Sequence, residues 1–519
     1  MTVEQICRVG KIELNDENIA LITNLQNQIS TWLESTKFKE QIIGKDNQTY
    51  ATLPYPPLLD PDSINYFTSE ASICWRLNIP LPPFYDFMLF GTHGVGFAAI
   101  PKLLNILGCG TAGRDSEKQA PFIYESLFEQ LVKCKKEKSA GIIKAIALYL
   151  CDFPTDADND KLFALIACKN VILIDRDPIS LLKACCNLQL DKAESEEDDF
   201  SQLDQNDKMV QKIQRTRRKK LVYTLDKDPK ELLKDKVHYR VGIEKNAYSD
   251  KPNASGCQLW MRELLQGYHN GLMASSLVRL GDFRVMQTKD FSGKNTFDTL
   301  KKLANEFGFN KPDESEKELL ESRVSDLKCF IPAILLLNPQ DIKGKDGKAQ
   351  KISFDDILLL ELHSKFSVSR DNITVNGFNL PEFFEVQVNN ANDIEKINQS
   401  GLANEIQAYL SKLCAAVMEQ NEIENAKKIT EDDVLEYFKA NPQSALLFDG
   451  LLVSHLRPIK ESGNENILND WGYYQRFKQI VNSIDDEGFC YRLCRKNDDK
   501  SYVFVKFNKK EIKEKEKKQ

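Results

Sequence analysis

The run Asn170-Val-Ile-Leu-Ile-Asp175 constrains this chain more than any other feature. Four branched apolar residues in succession show no alternation, so neither face of the element they form suits contact with water. That is the pattern of a strand buried on both sides in a parallel sheet. Two related segments precede it. Phe84–Phe90 is apolar and runs into the turn Gly91-Thr-His-Gly-Val-Gly96, after which Phe97–Leu107 has helical spacing despite Pro101. Ile146–Cys151 reads as a second strand, behind a helix expected around Phe122–Cys134. Beyond Asp175 come a helix at Ile179–Cys186, another at Leu259–Leu280, a strand at Phe283–Thr288 and a helix at Thr296–Phe307. Strands alternating with helices predict an α/β fold built on a parallel sheet.

The remaining chain divides around this core. Residues 10–40 read as one amphipathic helix, with Ile22, Leu25, Ile29 and Leu33 at helical spacing, and Leu53-Pro-Tyr-Pro-Pro57 and Ile79-Pro-Leu-Pro-Pro83 follow. Residues 1–83 are therefore a helical and proline-rich lead-in, and 84–312 form the α/β domain. Within it, 191–235 lacks apolar periodicity: acidic Glu194–Asp199 is followed by basic Arg215–Lys220, the composition of a mobile insert. Residues 313–519 change character. Helical spacing at Ile352–Phe366, Asn404–Gln420 and Thr430–Phe438, with short strands at Ile373–Val375 and Tyr502–Phe507, predicts a mainly α C-terminal region that serves an acceptor or partner.

Charge and cysteine usage exclude some classes. Seventy basic against 77 acidic residues give a net charge of −7, which disfavours general nucleic-acid binding. The 13 cysteines lie mostly in apolar runs, and Cys490 and Cys494 have no second Cys/His pair nearby, so no metal centre is expected and reduced thiols in a cytoplasm fit best. Met1-Thr-Val-Glu-Gln5 lacks the cationic and apolar regions of a signal peptide. The apolar stretches Gly141–Cys151 and Cys329–Leu337 fall short of the roughly 20 residues that span a bilayer. The expectation is a cytoplasmic protein. Its lysine-rich tail, Lys509–Lys518, reads as a solvated helix end and leaves open a peripheral contact with the inner face of the membrane.

Two segments carry chemistry. A glycine-rich turn between strand and helix presents backbone N–H groups to a phosphate, which makes Gly91, Thr92, His93, Gly94, Val95, Gly96 and Phe97 candidate donor-binding residues. The turn lacks the Gly-Lys-Ser/Thr of an NTPase loop, and its glycines at 91, 94 and 96 do not have dinucleotide spacing. The second segment is Asp175-Arg-Asp-Pro178, where the buried strand ends. It sets a guanidinium at the carboxyl edge of the sheet, the edge where open α/β sheets bind ligands. Arginine's planar fork suits phosphate, and pairing of Arg176 with Asp175 or Asp177 to fix the turn is the competing reading.

With these elements in this order, residues 84–310 resemble the sulfotransferase superfamily, whose members grip a 3′-phosphonucleotide with a strand–glycine-loop–helix and an Arg-x-Pro motif. Cys151-Asp-Phe-Pro154 resembles the segment that carries the catalytic base there. Phe283–Phe291 and the helix ending Leu303-Ala-Asn-Glu-Phe-Gly-Phe309 resemble two further family segments. The resemblance implies a sulfotransferase-like, P-loop-type parallel core, with Arg176 and Ser180 on the donor and Asp152 as general base. His93 is the second candidate for the base. The loop departs from the family: Thr92 and His93 stand at the basic position and its neighbour, and Val95-Gly96 replaces a hydroxyl pair. Ala184 and Cys185 stand where a serine is usual, with Ser180 nearer.

The whole chain more closely resembles an epsilon-proteobacterial family of sugar transferases, some encoded in capsule loci, through Leu81-Pro-Pro-Phe-Tyr-Asp-Phe-Met-Leu-Phe-Gly-Thr-His-Gly-Val-Gly96. That family is linked to decoration of capsule sugars with O-methyl phosphoramidate. The resemblance implies a donor like 3′-phosphocytidine diphosphoramidate, or one like phosphoadenosyl phosphosulfate, and a capsular sugar or polysaccharide acceptor. It also implies contact with capsule assembly, and no metal, prosthetic group or nucleic acid. Two other readings stay open. Asp156-Ala-Asp158 has the spacing of a metal-binding glycosyltransferase motif, and Arg215–Lys220 is the basic run a nucleic-acid-binding or scaffold protein would use.

Overall fold

The computed structural model describes residues 1–40, 54–113, 119–151, 157–191, 222–234, 236–244, 247–264, 280–322, 327, 329–337, 358–365, 372–484, 489–495 and 502–508. The chain forms two compact units. One comprises Met1–Leu181, Trp260–Ser315 and Leu435–Gln519, and the other Leu182–Leu259 and Glu316–Val434. The residues after Ser315 are divided between the two units, Glu316–Val434 in the second and Leu435–Gln519 in the first.

The first unit is organised by a five-stranded sheet of β1 (Phe87–Gly91), β2 (Cys109–Gly113), β3 (Ala145–Cys151), β4 (Cys168–Asp175) and β5 (Leu280–Gln287), in the order β2-β3-β1-β4-β5. Every pairing is parallel. The expected α/β core is therefore present. Val171–Ile174 is buried throughout, as its unbroken apolar run requires. Flanking helices include Ile100–Ile106, Ala120–Ser139, Pro178–Cys186 and Thr296–Phe307. Phe87 of β1 stacks on Phe307 at 4.1 Å, closing one face of the sheet.

Several expected bounds shift for local reasons. The single helix over 10–40 is interrupted: Val3–Gly10 ends at Lys11 in the left-handed region (φ 52°), and a second helix, Asp16–Glu34, starts where the Asn15 side chain accepts from the Asn18 N–H. The helix after the glycine turn begins at Ile100 rather than Phe97, which places Pro101 in the first turn, where a missing N–H costs nothing. Strand β2 was not expected, because Gly110 and Gly113 weaken its pattern. A side chain at 113 would run into the Tyr149 ring. Leu259–Leu280 is helical only over Cys257–Glu263 among the described residues.

The second unit holds a mixed sheet of Ile373–Thr374, Phe384–Val388, Leu358–Ser364, Ala333–Leu337 and Val222–Thr224, in that order. Its pairings are antiparallel except the last. Leu335, Leu337, Leu360, Leu362 and Val386 bury against Ile406, Leu410, Leu413 and Val417 of the helix Ala403–Ala426. Leu358–Ser364 corrects the helix expected at Ile352–Phe366: a short apolar run reads either way until its pairing on both sides decides. The helices Ala403–Ala426 and Glu431–Ala440 stand where helical spacing placed them, and the C-terminal region is mainly helical. Residues 192–221 of the expected insert lie outside the described residues. Its end is built into the fold, with Tyr223 fully buried and a helix at Pro229–Leu233.

Among the described residues no helix is long and apolar enough to cross a membrane. The tail Lys509–Lys518 lies outside the described residues.

Candidate functional site

The site is built on the carboxyl edge of the parallel sheet. Strand β1 sits at its centre and ends at Gly91, opposite Cys151 of β3. Only glycine fits at 91: a Cβ there would lie 2.5 Å from the Ile174 carbonyl oxygen and 2.8 Å from the Phe97 ring. Gly94 (φ 85°) and Gly96 (φ 104°) then take the left-handed backbone that turns the chain back toward the Ile100 N-terminus. Val95 is fully buried, and Phe97 stacks on Tyr149 of β3 at 6.3 Å. These contacts fix the loop between strand and helix.

Two side chains clamp its carbonyls. Arg176 Nη1 donates to the Gly94 carbonyl at 3.0 Å, and Thr288 Oγ1 to the Val95 carbonyl at 2.9 Å. In a trans peptide the C=O and the following N–H point oppositely, so the Val95 and Gly96 N–H groups face away from these clamps. Among the described residues, no hydrogen bond uses the N–H of Gly94, Val95, Gly96 or Phe97. Thr92 is fully buried, while the half-buried His93 stacks its ring on Trp260 with centroids 5.0 Å apart and an 11° interplanar angle.

Behind Arg176 opens a cleft of about 490 Å³. One wall is Arg176, Asp177 and Ser180, where β4 passes into the helix Pro178–Cys186. A second is Gln287–Lys289 and Ser292, at the end of β5 and just beyond it. The third is Asp470–Tyr473 and Arg476, at the start of the helix Gly472–Ser483. The guanidiniums of Arg176 and Arg476 and the Lys289 ammonium outnumber the carboxylates of Asp177 and Asp470. Burial raises the Asp177 carboxyl above the ordinary carboxylate range, against the pull of the Tyr474 and Ile179 N–H groups it accepts from. Trp471 Nε1 donates to Gln287 Oε1 at 3.0 Å, which joins two walls, and the Arg476 guanidinium lies over the Tyr473 ring at 5.4 Å. Beneath, fully buried Asp175 accepts from the Arg176 N–H at 2.8 Å, with His455 Nε2 3.6 Å from the same carboxylate.

The structure thus joins Arg176 to the glycine loop and sets Arg176 and Ser180 on one cleft wall. The loop residues Gly91–Phe97 are not on that wall. Asp152 and Asp156 lie outside the described residues, and Asp158 is in the first turn of the helix Ala157–Ala164. Among the described residues no cluster of three or more His, Cys, Asp or Glu could hold a metal ion. Sequence reasoning missed the third wall. Its signal was Asp470-Trp-Gly-Tyr-Tyr-Gln-Arg476, an aromatic and basic cluster around one of only four tryptophans.

A family described only as "Protein of unknown function" (DUF2972) matches residues 285–484. The match covers the two cleft walls that follow β5 and begin the helix Gly472–Ser483, while the glycine loop and Arg176 precede it. No curated protein and no solved structure matches the chain.

Proposed function

We propose that this chain is a transferase that moves a phosphoramidate-type or sulfuryl-type group from a 3′-phosphonucleotide donor to a hydroxyl of a capsular polysaccharide sugar. The observation that carries the reading is Arg176. It directly follows β4, holds the Gly94 carbonyl of the glycine loop, and stands with Ser180 on a basic cleft. A donor with a diphosphate-type group over the loop N–H groups and a 3′-phosphate against Arg176 would use both features. The likeness to capsule-locus sugar transferases supports phosphoramidate over sulfate and cytidine over adenosine.

Transfer in this reading is in line. The acceptor hydroxyl oxygen forms a bond to the donor's terminal phosphorus or sulfur, and the bond from that atom to the bridging oxygen breaks. The 3′,5′-bisphosphonucleotide departs, and the hydroxyl proton passes to a general base. Alignment and stabilisation of the moving oxygens are the protein's main contributions. The loop N–H groups serve the second task. Asp152, which follows the end of β3, is the first candidate for the base. His93, held flat on Trp260, is suited to a fixed hydrogen bond to the donor and is second. The reaction requires no prosthetic group or metal ion. In this reading the enzyme works in the cytoplasm, and contact with capsule assembly would bring it to the inner face of the membrane.

Calorimetric titration of the full chain with cytidine 3′,5′-bisphosphate, adenosine 3′,5′-bisphosphate and cytidine 5′-monophosphate tests the reading. The cytidine bisphosphate should bind at least about tenfold more tightly than the monophosphate, the equivalent of about 1.4 kcal/mol from the 3′-phosphate. Equal affinities for the two cytidine compounds would sink it.

A further inference from the structure

Asp177 does something its position beside an arginine does not announce. Its Oδ1 accepts from the Ile179 N–H at 2.9 Å, a local cap on the helix that Pro178 opens. Its Oδ2 accepts from the Tyr474 N–H, also at 2.9 Å, although Tyr474 lies 297 residues further along the chain. One carboxylate therefore caps the starts of two helices, Pro178–Cys186 and Gly472–Ser483, which form two walls of the cleft. Its charge faces the positive ends of both.

We infer that Asp177 is a positioning residue that fixes the turn Asp470–Tyr473 and, through it, Arg476 opposite Arg176, so that the cleft grips a phosphate from two sides. The inference rests on the bisphosphonucleotide reading for the identity of the ligand. It differs from the competing reading in which Asp175 or Asp177 pairs with Arg176 to fix the turn. The Trp471–Gln287 hydrogen bond holds the same turn from the β5 side, so the turn has two anchors and Asp177 supplies the one on the Arg176 wall. Arg476 is an exposed residue over the half-buried Tyr473, within the first turns of its helix. A shift at Tyr474 would carry both with it.

The substitution that isolates this role is Asp177→Ser. Serine keeps one short acceptor for the Ile179 N–H but cannot also reach Tyr474. Hydrogen exchange on the full chain, read in peptides covering 470–476, should accelerate at least about tenfold in the variant, a protection loss of about 1.4 kcal/mol, with β1 and β4 peptides unchanged. Arg476→Ala should weaken cytidine 3′,5′-bisphosphate binding about tenfold in the wild-type background and less than about twofold alongside Asp177→Ser, because residues that act as one are non-additive. A role confined to general stability would leave the effect of Arg476→Ala the same in both backgrounds. If Asp177→Ser folds poorly, Asp177→Asn replaces it, since an amide group cannot accept from both N–H groups with both of its atoms. Unchanged exchange at 470–476, or full additivity of the two substitutions, overturns the inference. Should the wild type bind neither bisphosphonucleotide, the functional reading fails, and the exchange measurement still decides whether Asp177 holds the turn.

Discussion

Replacing Arg176 by alanine is the most informative single perturbation, because the side chain has two separable jobs. One is structural: Nη1 donates to the Gly94 carbonyl at 3.0 Å, and its loss leaves that carbonyl without its donor. A charge-assisted bond of this kind is worth about 1.5–3 kcal/mol, a melting shift of about 1–3 degrees in a chain of this size. The other is the proposed grip on the 3′-phosphate. A charge-assisted contact to phosphate contributes about 2–3 kcal/mol, so affinity for cytidine 3′,5′-bisphosphate should fall about 30- to 150-fold. Cytidine 5′-monophosphate lacks the group that Arg176 would grip, so its binding should fall only by the small indirect effect of the loosened loop. Arg176→Lys keeps the charge but not the planar fork, and should lie between wild type and alanine for the bisphosphate. Calorimetry with both nucleotides, beside a melting curve for each variant, reads the two jobs independently. A folded alanine variant that loses nothing for the bisphosphate, or loses equally for both nucleotides, refutes the assignment of Arg176 to the 3′-phosphate.

Gly91→Ala should destabilise the first unit by about 1–3 kcal/mol, because the new methyl meets the Ile174 carbonyl backbone; denaturant unfolding checks it, and an unchanged midpoint would show that the strand end can shift. Asp152→Asn should lower turnover about 10²–10⁴-fold with donor affinity nearly unchanged, whereas His93→Ala should weaken donor binding as well. Near-normal turnover in Asp152→Asn, with loss confined to turnover in His93→Ala, would reverse the two roles. Transfer should proceed in EDTA; loss restored by magnesium would move the weight to Asp156 and Asp158 and to a nucleotide-sugar glycosyltransferase.

The parts of the fold that were legible in the sequence are those whose cause is local. Val171–Ile174 had to be buried on both faces, and the bounds of the helix Thr296–Phe307 follow from its apolar spacing and the left-handed Gly308 that ends it. Strand β2 escaped notice because its glycines make room for Tyr149, a neighbour the local pattern does not reveal. Leu358–Ser364 was misread because a short leucine-rich segment, Leu-Leu-Leu-Glu-Leu-His-Ser, fits a buried helix or a central strand, and only its two antiparallel partners choose. The candidate site divides the same way. The glycine loop and Arg176 are each contained within a few residues and could be found by spacing. The turn Asp470–Tyr473 reaches Asp177 across 297 residues, and no local pattern records a partner at that distance.

The clamped loop also bears on what kind of ligand fits. Arg176 and Thr288 hold the carbonyls of Gly94 and Val95, so the next two N–H groups are turned away from the side chains that hold them. In the proposed reading one anionic group lies against those N–H groups and another enters the cleft that Arg176 lines. The proposed donor would meet two surfaces, one of backbone N–H groups and one of guanidinium and ammonium groups, with Arg176 as the element common to both. A ligand with one anionic group would use only half of what is built. A nucleotide phosphorylated at both its 3′ and 5′ positions carries two such groups, separated by a ribose. This is why the comparison between bisphosphate and monophosphate, rather than binding of either alone, discriminates the proposed donor from a general affinity for anions.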